Sequence, residues 1–198
     1  MKKIAEGAEA IIYLDSKKII KKRIPKKYRL AELDKKLRKG RTKLEAKILR
    51  SLARENISVP SVIEVNEDQC ILEMAFIEGE KIRDYLLRTS DHTIFEQIAN
   101  LVEKMHSANV IHGDLTTSNM ILCNGKVYLI DFGLANYSSR IEDKAVDLHL
   151  LKECLKSKHY KIWENAWLVF SENYKNKEIL DRVKIVEKRG RYKKKAPI

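Results

Sequence analysis

The stretch IHGDLTTSNMILCNGKVYLIDFG, residues 111–133, decides how the rest of the chain is read. Asp114 and Asn119 stand five apart among small and turn-prone residues, which suits a loop rather than a helix or strand. Two short apolar runs follow, 120–123 and 127–130, on either side of Asn124-Gly125. Asn-Gly between apolar runs predicts a hairpin, because both residues tolerate the positive φ of a type I′ turn. Asp131-Phe132-Gly133 stands at the exit of the second run. A loop thus presents a carboxylate and an amide at one end of a hairpin, and a second carboxylate leaves its other end. Asp and Asn oxygens are hard ligands suited to magnesium, which takes one or two of them beside substrate phosphates. A further carboxylate can accept a proton from an attacking hydroxyl.

The same residues resemble the protein-kinase pattern H-x-D-x-x-x-x-N followed by D-F-G. His112, Asp114, Asn119, Asp131, Phe132 and Gly133 fill its positions. The competing reading is a plain hairpin with turn-forming Asp and Asn.

The chain has 198 residues, enough for one large domain or two lobes, and 44% of them are hydrophobic. No apolar run approaches the roughly 20 residues that span a bilayer, and MKKIAEGAEA lacks a signal-peptide core. Cys70, Cys123 and Cys154 are far apart and odd in number, so they read as buried reduced thiols of a cytoplasmic protein and not as a zinc site or disulfide frame. The net charge of +12 is unevenly placed: residues 17–50 carry +13, residues 182–198 carry +7, and the remainder −8. Two basic segments on an acidic body point to a polyanion, most simply RNA.

Upstream, the pattern predicts two strands around Glu6, Gly7, Ala8, Glu9 and Ala10, a small-residue turn whose backbone can approach phosphate oxygens. Residues 18–24 read as a third strand, ended by Pro25. Lys21 follows two apolar residues there, as in the strand lysine of V-A-I-K, and is preferred over Lys22. Residues 27–56 have helical periodicity, and Gly40 is expected to split them into two pieces. Glu45 in the second piece is the candidate partner of Lys21, with Glu32 as competitor. Strands follow over 62–65 and 70–74, then a connector over 75–79, where backbone groups of Ala75 and Ile77 would meet adenine. Ile94, Ile98, Leu101, Val102 and Met105 form a helical stripe ending at His106, read as a helix-terminal or packed histidine rather than a ligand. Trp163 and Trp167, four apart in a late helix, read as core.

Beyond the loop, the whole chain resembles one family: the small atypical kinases of the KEOPS complex, Bud-type relatives of the RIO kinases. The resembling pieces are 7–10, the run 20–29, Arg41-Thr42 with Glu45-Ala46, 77–79, 112–119, 131–134, the group 142–148, and Arg189-Gly190-Arg191. The resemblance implies an α+β, minimal two-lobed protein-kinase-like fold without an extended activation segment. Its parts would be an N-lobe over 1–74, a hinge over 75–79, a C-lobe over 80–187 and a flexible basic tail over 188–198. It implies an ATPase and Ser/Thr kinase using ATP and Mg2+. Asp114 would be catalytic and Asn119 and Asp131 the metal ligands. ATP would be bound by Glu6, Gly7, Ala8, Glu9, Ala10, Lys21, Glu45, Ala75 and Ile77. Implied partners are a threonylcarbamoyl-transferase subunit, the other KEOPS subunits and, through the assembly, tRNA, with no membrane.

Departures from standard kinases have consequences. Gly113 replaces the arginine of H-R-D, the segment after Gly133 is short, and no A-P-E follows, so control by an activation-loop phosphate should be missing. Thr116 stands where many Ser/Thr kinases have a phosphate-contacting lysine, which implies weak transfer to peptides in trans. The alternatives are a small-molecule phosphotransferase of the aminoglycoside or choline kinase type, and a pseudokinase scaffold. The former usually needs extra helices for its acceptor. The latter is disfavoured by the presence of Lys21, Asp114, Asn119 and Asp131 together.

Overall fold

Short runs of apolar and β-branched residues at the N-terminus build a sheet, and a long helix covers part of it. The computed structural model describes residues 1–192, with side chains through 189. The chain divides into two units: Met1–Glu78 with Tyr128–Leu134, and Gly79–Val127 with Ala135 onward.

The first unit holds strands β1 (Lys2–Glu6), β2 (Ala10–Asp15) and β3 (Lys18–Arg23), helix α1 (Ala31–Arg54), and strands β4 (Val62–Asn66) and β5 (Ile71–Ala75). They form one antiparallel sheet in the order β1-β2-β3-β5-β4. Helix α1 packs on β4 and β5. It does so through its second half, where Ala46, Ile48, Leu49 and Leu52 are buried. Gly40 does not split the helix. A glycine costs a helix about 1 kcal/mol relative to alanine, and the remaining turns with their packed stripe outweigh that. The loop before α1 is tied to it by Asp34, a buried carboxylate that accepts from Lys26 N at 3.2 Å and Arg38 Nε at 2.6 Å.

The connector expected over 75–79 starts one residue later. Ala75 ends β5, and its N–H donates to Ser61 O at 2.9 Å, so no amide hydrogen remains there for a base. Tyr128–Leu134 belong with this unit, although the sequence reading assigned them to the helical lobe. Leu129 N–H donates to Ser58 O at 2.9 Å, and Leu129 and Phe132 are buried.

The second unit holds β6 (Glu80–Lys81), α2 (Ile82–Thr89), α3 (Ile94–Ser107), β7 (Val110–Ile111), a 3-10 turn (Thr117–Asn119) and β8 (Met120–Cys123). Next come β9 (Lys126–Leu129), whose last two residues belong to the first unit, β10 (Asn136–Tyr137), α4 (Ile141–Lys158), α5 (Trp163–Asn173) and α6 (Lys177–Tyr192). Helix α3 packs on α5, and α4 on α5 and α6. Phe95, Ile98, Met105, Leu148, Leu151, Leu155 and Phe170 fill the core. The hairpin forms as expected: Asn124 and Gly125 have φ of 48° and 74°. Strand β6 pairs with β8, and Gly79 before it lies so close that a Cβ would sit 2.3 Å from Leu122 O.

Two further expectations are corrected. Trp163 and Trp167 are only half-buried, with Lys156 Nζ 5.5 Å and Lys152 Nζ 4.9 Å from their ring centres. Each indole thus receives a cation, and Trp167 also stacks on the core residue Phe170 with ring centroids 5.3 Å apart, so the core reading holds in part for Trp167 alone. The segment expected to be flexible from 188 begins as helix, because α6 continues to Tyr192 and Arg189 pairs with Glu142 at 2.5 Å. The rest of that segment, 193–198, lies outside the described residues. No helix among them is long and apolar enough to cross a membrane.

Candidate active site

In the first unit, β3 places Lys21 and Arg23 on one face by the period of two, leaving Lys22 exposed between them. Both cations are buried, and both meet Glu45 of α1: Lys21 Nζ lies 2.7 Å from Oε1, and Arg23 reaches Oε2 at 2.6 Å. Lys21 Nζ also lies 2.6 Å from Asp131 Oδ1. Burial alone would lower the pKa of the ammonium, but Glu45 and then Asp131 more than offset it, so the pKa is raised and the charge is kept. Glu32, the competitor, is exposed. Asp131 sits at φ 62°, a backbone angle that non-glycine residues seldom adopt, and its side chain is half exposed. Gly133 is close by: a Cβ there would lie 3.0 Å from Lys21 Nζ and 3.1 Å from Asp131 Oδ1.

The turn over residues 6–10 closes on itself, with Gly7 N–H donating to Ala10 O at 2.9 Å. Glu9 pairs with Arg41 of α1 at 2.7 Å, and Lys26 Nζ donates to Ala8 O. Glu6, Gly7 and Ala8 are exposed, whereas Ala10 is buried at the start of β2. The tie from Glu9 anchors the turn to the helix that carries Glu45.

In the second unit, the loop after β7 holds Asp114 and Asn119 against each other. Asn119 Nδ2 donates to Asp114 O at 2.9 Å and to Oδ2 at 2.8 Å, leaving the Asn119 amide oxygen as the end able to coordinate a cation. Asp114 N–H donates to His112 Nδ1 at 3.3 Å. The loop is fastened from behind by Asp147 of α4, a fully buried carboxylate. It accepts from His112 N–H at 2.8 Å and Gly113 N–H at 3.0 Å, and His106 Nε2 lies 3.2 Å away. His106 Nδ1 in turn meets Tyr174 Oη at 2.8 Å. Further along, buried Thr117 bonds His159 Nε2 at 2.9 Å.

The residues singled out from sequence therefore gather within their own units: Lys21, Glu45 and Asp131 in one, Asp114 and Asn119 in the other. Oxygen donors suited to magnesium are present in both. The roles of Arg23, Asp147 and Tyr174 were not read from sequence. Arg23 repeats the face of Lys21 two residues on, which is a usable signal. Asp147 is a lone carboxylate beside the apolar positions Ala145, Leu148 and Leu151, a second one. Tyr174 follows α5 with no pattern to mark it. Elsewhere, His149, Glu153 and Glu187 approach one another closely enough to share a cation. However, Lys152 and Lys156 already pair with those carboxylates.

Comparison with known proteins bears on this arrangement. The RIO domain family matches residues 11–148. The KEOPS complex subunit Bud32 of Pyrococcus abyssi is 42% identical, with 99% of this chain and 98% of that protein covered. A probable serine/threonine-protein kinase BUD32 homolog of Archaeoglobus fulgidus is 37% identical over 96% of each. A probable bifunctional tRNA threonylcarbamoyladenosine biosynthesis protein of Methanobrevibacter smithii is 41% identical, but the chain spans only 36% of it. Among solved structures, WaaP in complex with acyl carrier protein superposes with a TM-score of 0.66 at 14% identity, over 95% of this chain and 88% of that one. That likeness extends the shared fold over nearly the whole sequence. With its sheet-rich N-terminal part, its helical C-terminal part and these relatives, the chain belongs to the RIO-domain family of atypical kinases, among those of the Bud32 type.

Proposed function

We propose that the chain is the Mg-ATP-dependent kinase and ATPase of a KEOPS-type assembly, supporting threonylcarbamoyladenosine formation beside the anticodon of tRNA. The observation that carries the reading is the buried Lys21–Glu45 pair with Asp131 on the same ammonium. Holding one positive charge in a fixed place is what gripping the α and β phosphates of ATP requires. Glu6 to Ala10 cover the phosphates, and Ala75 and Ile77 lie along the base. Asn119 Oδ1 and the Asp131 carboxylate are hard oxygen ligands and would hold magnesium, which supplies neutralisation of phosphate charge when bound. Asp114 accepts the proton of an attacking serine hydroxyl or orients water, with its carboxylate steadied by Asn119.

Asp131→Ala is expected to abolish magnesium-dependent ATP turnover. Asp114→Ala is expected to abolish it or nearly so while keeping ATP affinity within about tenfold. Calorimetric titration with Mg-ATP, followed by phosphate release, measures both. Unchanged turnover in the two variants would sink the assignment.

The partners in this reading are a threonylcarbamoyl-transferase subunit, the other KEOPS subunits and tRNA, in the cytoplasm. In the Methanobrevibacter relative, a segment like this chain makes up 36% of a bifunctional protein, so a second activity is covalently attached there. A separate chain would reach the same neighbour by binding it. Size exclusion of the native assembly from cell extract tests this, and a lone monomer would count against it.

A further inference from the structure

Behind the loop that carries Asp114 runs a chain of buried polar groups that the proposed chemistry does not itself use. Tyr174, His106 and Asp147 are all buried, and each comes from a different part of the second unit: the end of α5, the end of α3 and the middle of α4. Asp147 as a carboxylate only accepts, so the His106 Nε2 facing it carries a hydrogen. The Tyr174 hydroxyl has His106 Nδ1 as its hydrogen-bond partner among the described residues. A buried hydroxyl hydrogen needs an acceptor, and a ring protonated at Nε2 alone offers one at Nδ1. The directions then agree along the whole chain. Tyr174 O–H donates to His106 Nδ1, and His106 Nε2–H donates to Asp147 Oδ2. His112 N–H donates to the same oxygen, and Gly113 N–H to Oδ1.

We infer that Tyr174 is a positioning residue for phosphoryl transfer. Its hydroxyl fixes the Nε2–H tautomer of His106 and so completes the donor set on Asp147 that holds the Asp114 loop. This rests on the reading of Asp114 as the proton acceptor.

Tyr174 is itself firmly held. Its ring stacks on Phe170 with centroids 5.7 Å apart, and its N–H donates to Phe170 O at 2.9 Å. The next two amides, Lys175 N–H and Asn176 N–H, both donate to Glu103 Oε1. Burial first, then the nearby carboxylates of Glu103 and Asp147, push the phenol well above its usual range, so it remains a donor. The asymmetry of the relay matters. With the hydroxyl gone, His106 can turn its hydrogen to Nδ1, and Nε2 then faces the Asp147 carboxylate with a lone pair. Asp147 would lose one donor, and the backbone of His112 and Gly113 would lose part of its anchor.

The test is Tyr174→Phe in the full chain, which keeps the ring stack and removes only the hydroxyl. Long-range proton–nitrogen NMR on His106 is expected to show the Nε2–H tautomer in the native protein and a mixture in the variant. Phosphate release from Mg-ATP is expected to show kcat down about tenfold with KM for ATP within about twofold, as removal of one buried partner commonly costs. His106 found as the Nδ1–H tautomer or as an imidazolium in the native protein would overturn the inference, whatever the variant does. So would native kcat in Tyr174→Phe when Asp114→Ala in the same assay has lost turnover. If Asp114→Ala also keeps its turnover, the failure lies with the role of Asp114, and the tautomer measurement alone decides the relay.

Discussion

At the scale of single residues, Glu45 is the point on which the first unit's charges balance. It faces two buried cations, one on each carboxylate oxygen. Removing a buried charge whose partners stay behind costs about 3–5 kcal/mol, because the partners remain desolvated and uncompensated. Glu45→Ala leaves both Lys21 and Arg23 in that condition. Lys21→Met leaves Glu45 still paired with Arg23, although Asp131 loses its ammonium. We therefore expect Glu45→Ala to destabilise by about 3–5 kcal/mol and Lys21→Met by clearly less. ATP affinity should fall in both variants. Urea unfolding read by circular dichroism gives the order, and a larger loss in Lys21→Met would show that Arg23 does not share the carboxylate in solution. Lys21 could be set apart from Lys22 in the sequence because it follows two apolar residues, and Glu45 from Glu32 because it lies in the second helical piece; the alternation of strand faces then explains why Lys22 stays exposed. Arg23 escaped notice in a stretch crowded with lysines, where composition hides which cations point inward.

Among elements, α1 shows how far local signals reach. Gly40 looked like a break, yet the helix runs through it, and a Cβ there would meet nothing within 4 Å. Gly40→Ala should stabilise the protein by about 0.5–1 kcal/mol, read as a higher melting temperature. Gly79 is the opposite case, since its Cβ would fall 2.3 Å from a backbone oxygen of β8 that cannot step aside. Hairpin and helix positions were legible because turn chemistry and the 3.6-residue period are local. The relay behind Asp114 was not, because its members lie far apart in sequence and only packing brings them together. The end of α4 adds a pH dependence. Burial first, and the charge of Arg83 second, hold the His159 imidazole below its ordinary 6.5. Above that value the group is neutral whether the chain is folded or not. As pH falls below it, the unfolded chain takes up the proton first, so folded stability is lost on acidification. His159→Gln, which can still bond Thr117, should flatten the loss of stability as pH falls below 6.5. Equal slopes for variant and native protein in denaturation at stepped pH would remove His159 from the account.

For the whole molecule, the uneven charge is the property most tied to the proposed tRNA partner. The fold sorts the cations of the two basic segments. In α1, Arg38, Lys39, Arg41 and Lys43 form close ion pairs, Lys35 acts on Asp68 by charge without a close ion pair, and Lys36 and Arg50 have no carboxylate partner among the described residues. In α6, Lys184 pairs with Asp181, and Arg182 and Arg189 with Glu142. A paired cation neutralises an RNA phosphate only by giving up its carboxylate, so the unpaired ones should carry more of the salt dependence. Lys193, Lys194 and Lys195 follow α6 in sequence. Because the helix reaches Tyr192, a truncation at 188 would remove structure along with charge, and the sharper variant deletes only 193–198. It should keep the fold and Mg-ATP binding. If all three lysines meet phosphates, the slope of log affinity for tRNA against log salt should shrink by about 2 to 3, since each neutralised phosphate contributes just under one. The measurement is tRNA affinity of assemblies built with full-length and shortened chains at several salt concentrations. Equal affinities and slopes would take these lysines off the RNA. Lys35→Glu with Lys36→Glu would then be the variant expected to lose tRNA, with the cations of α1 as the contact.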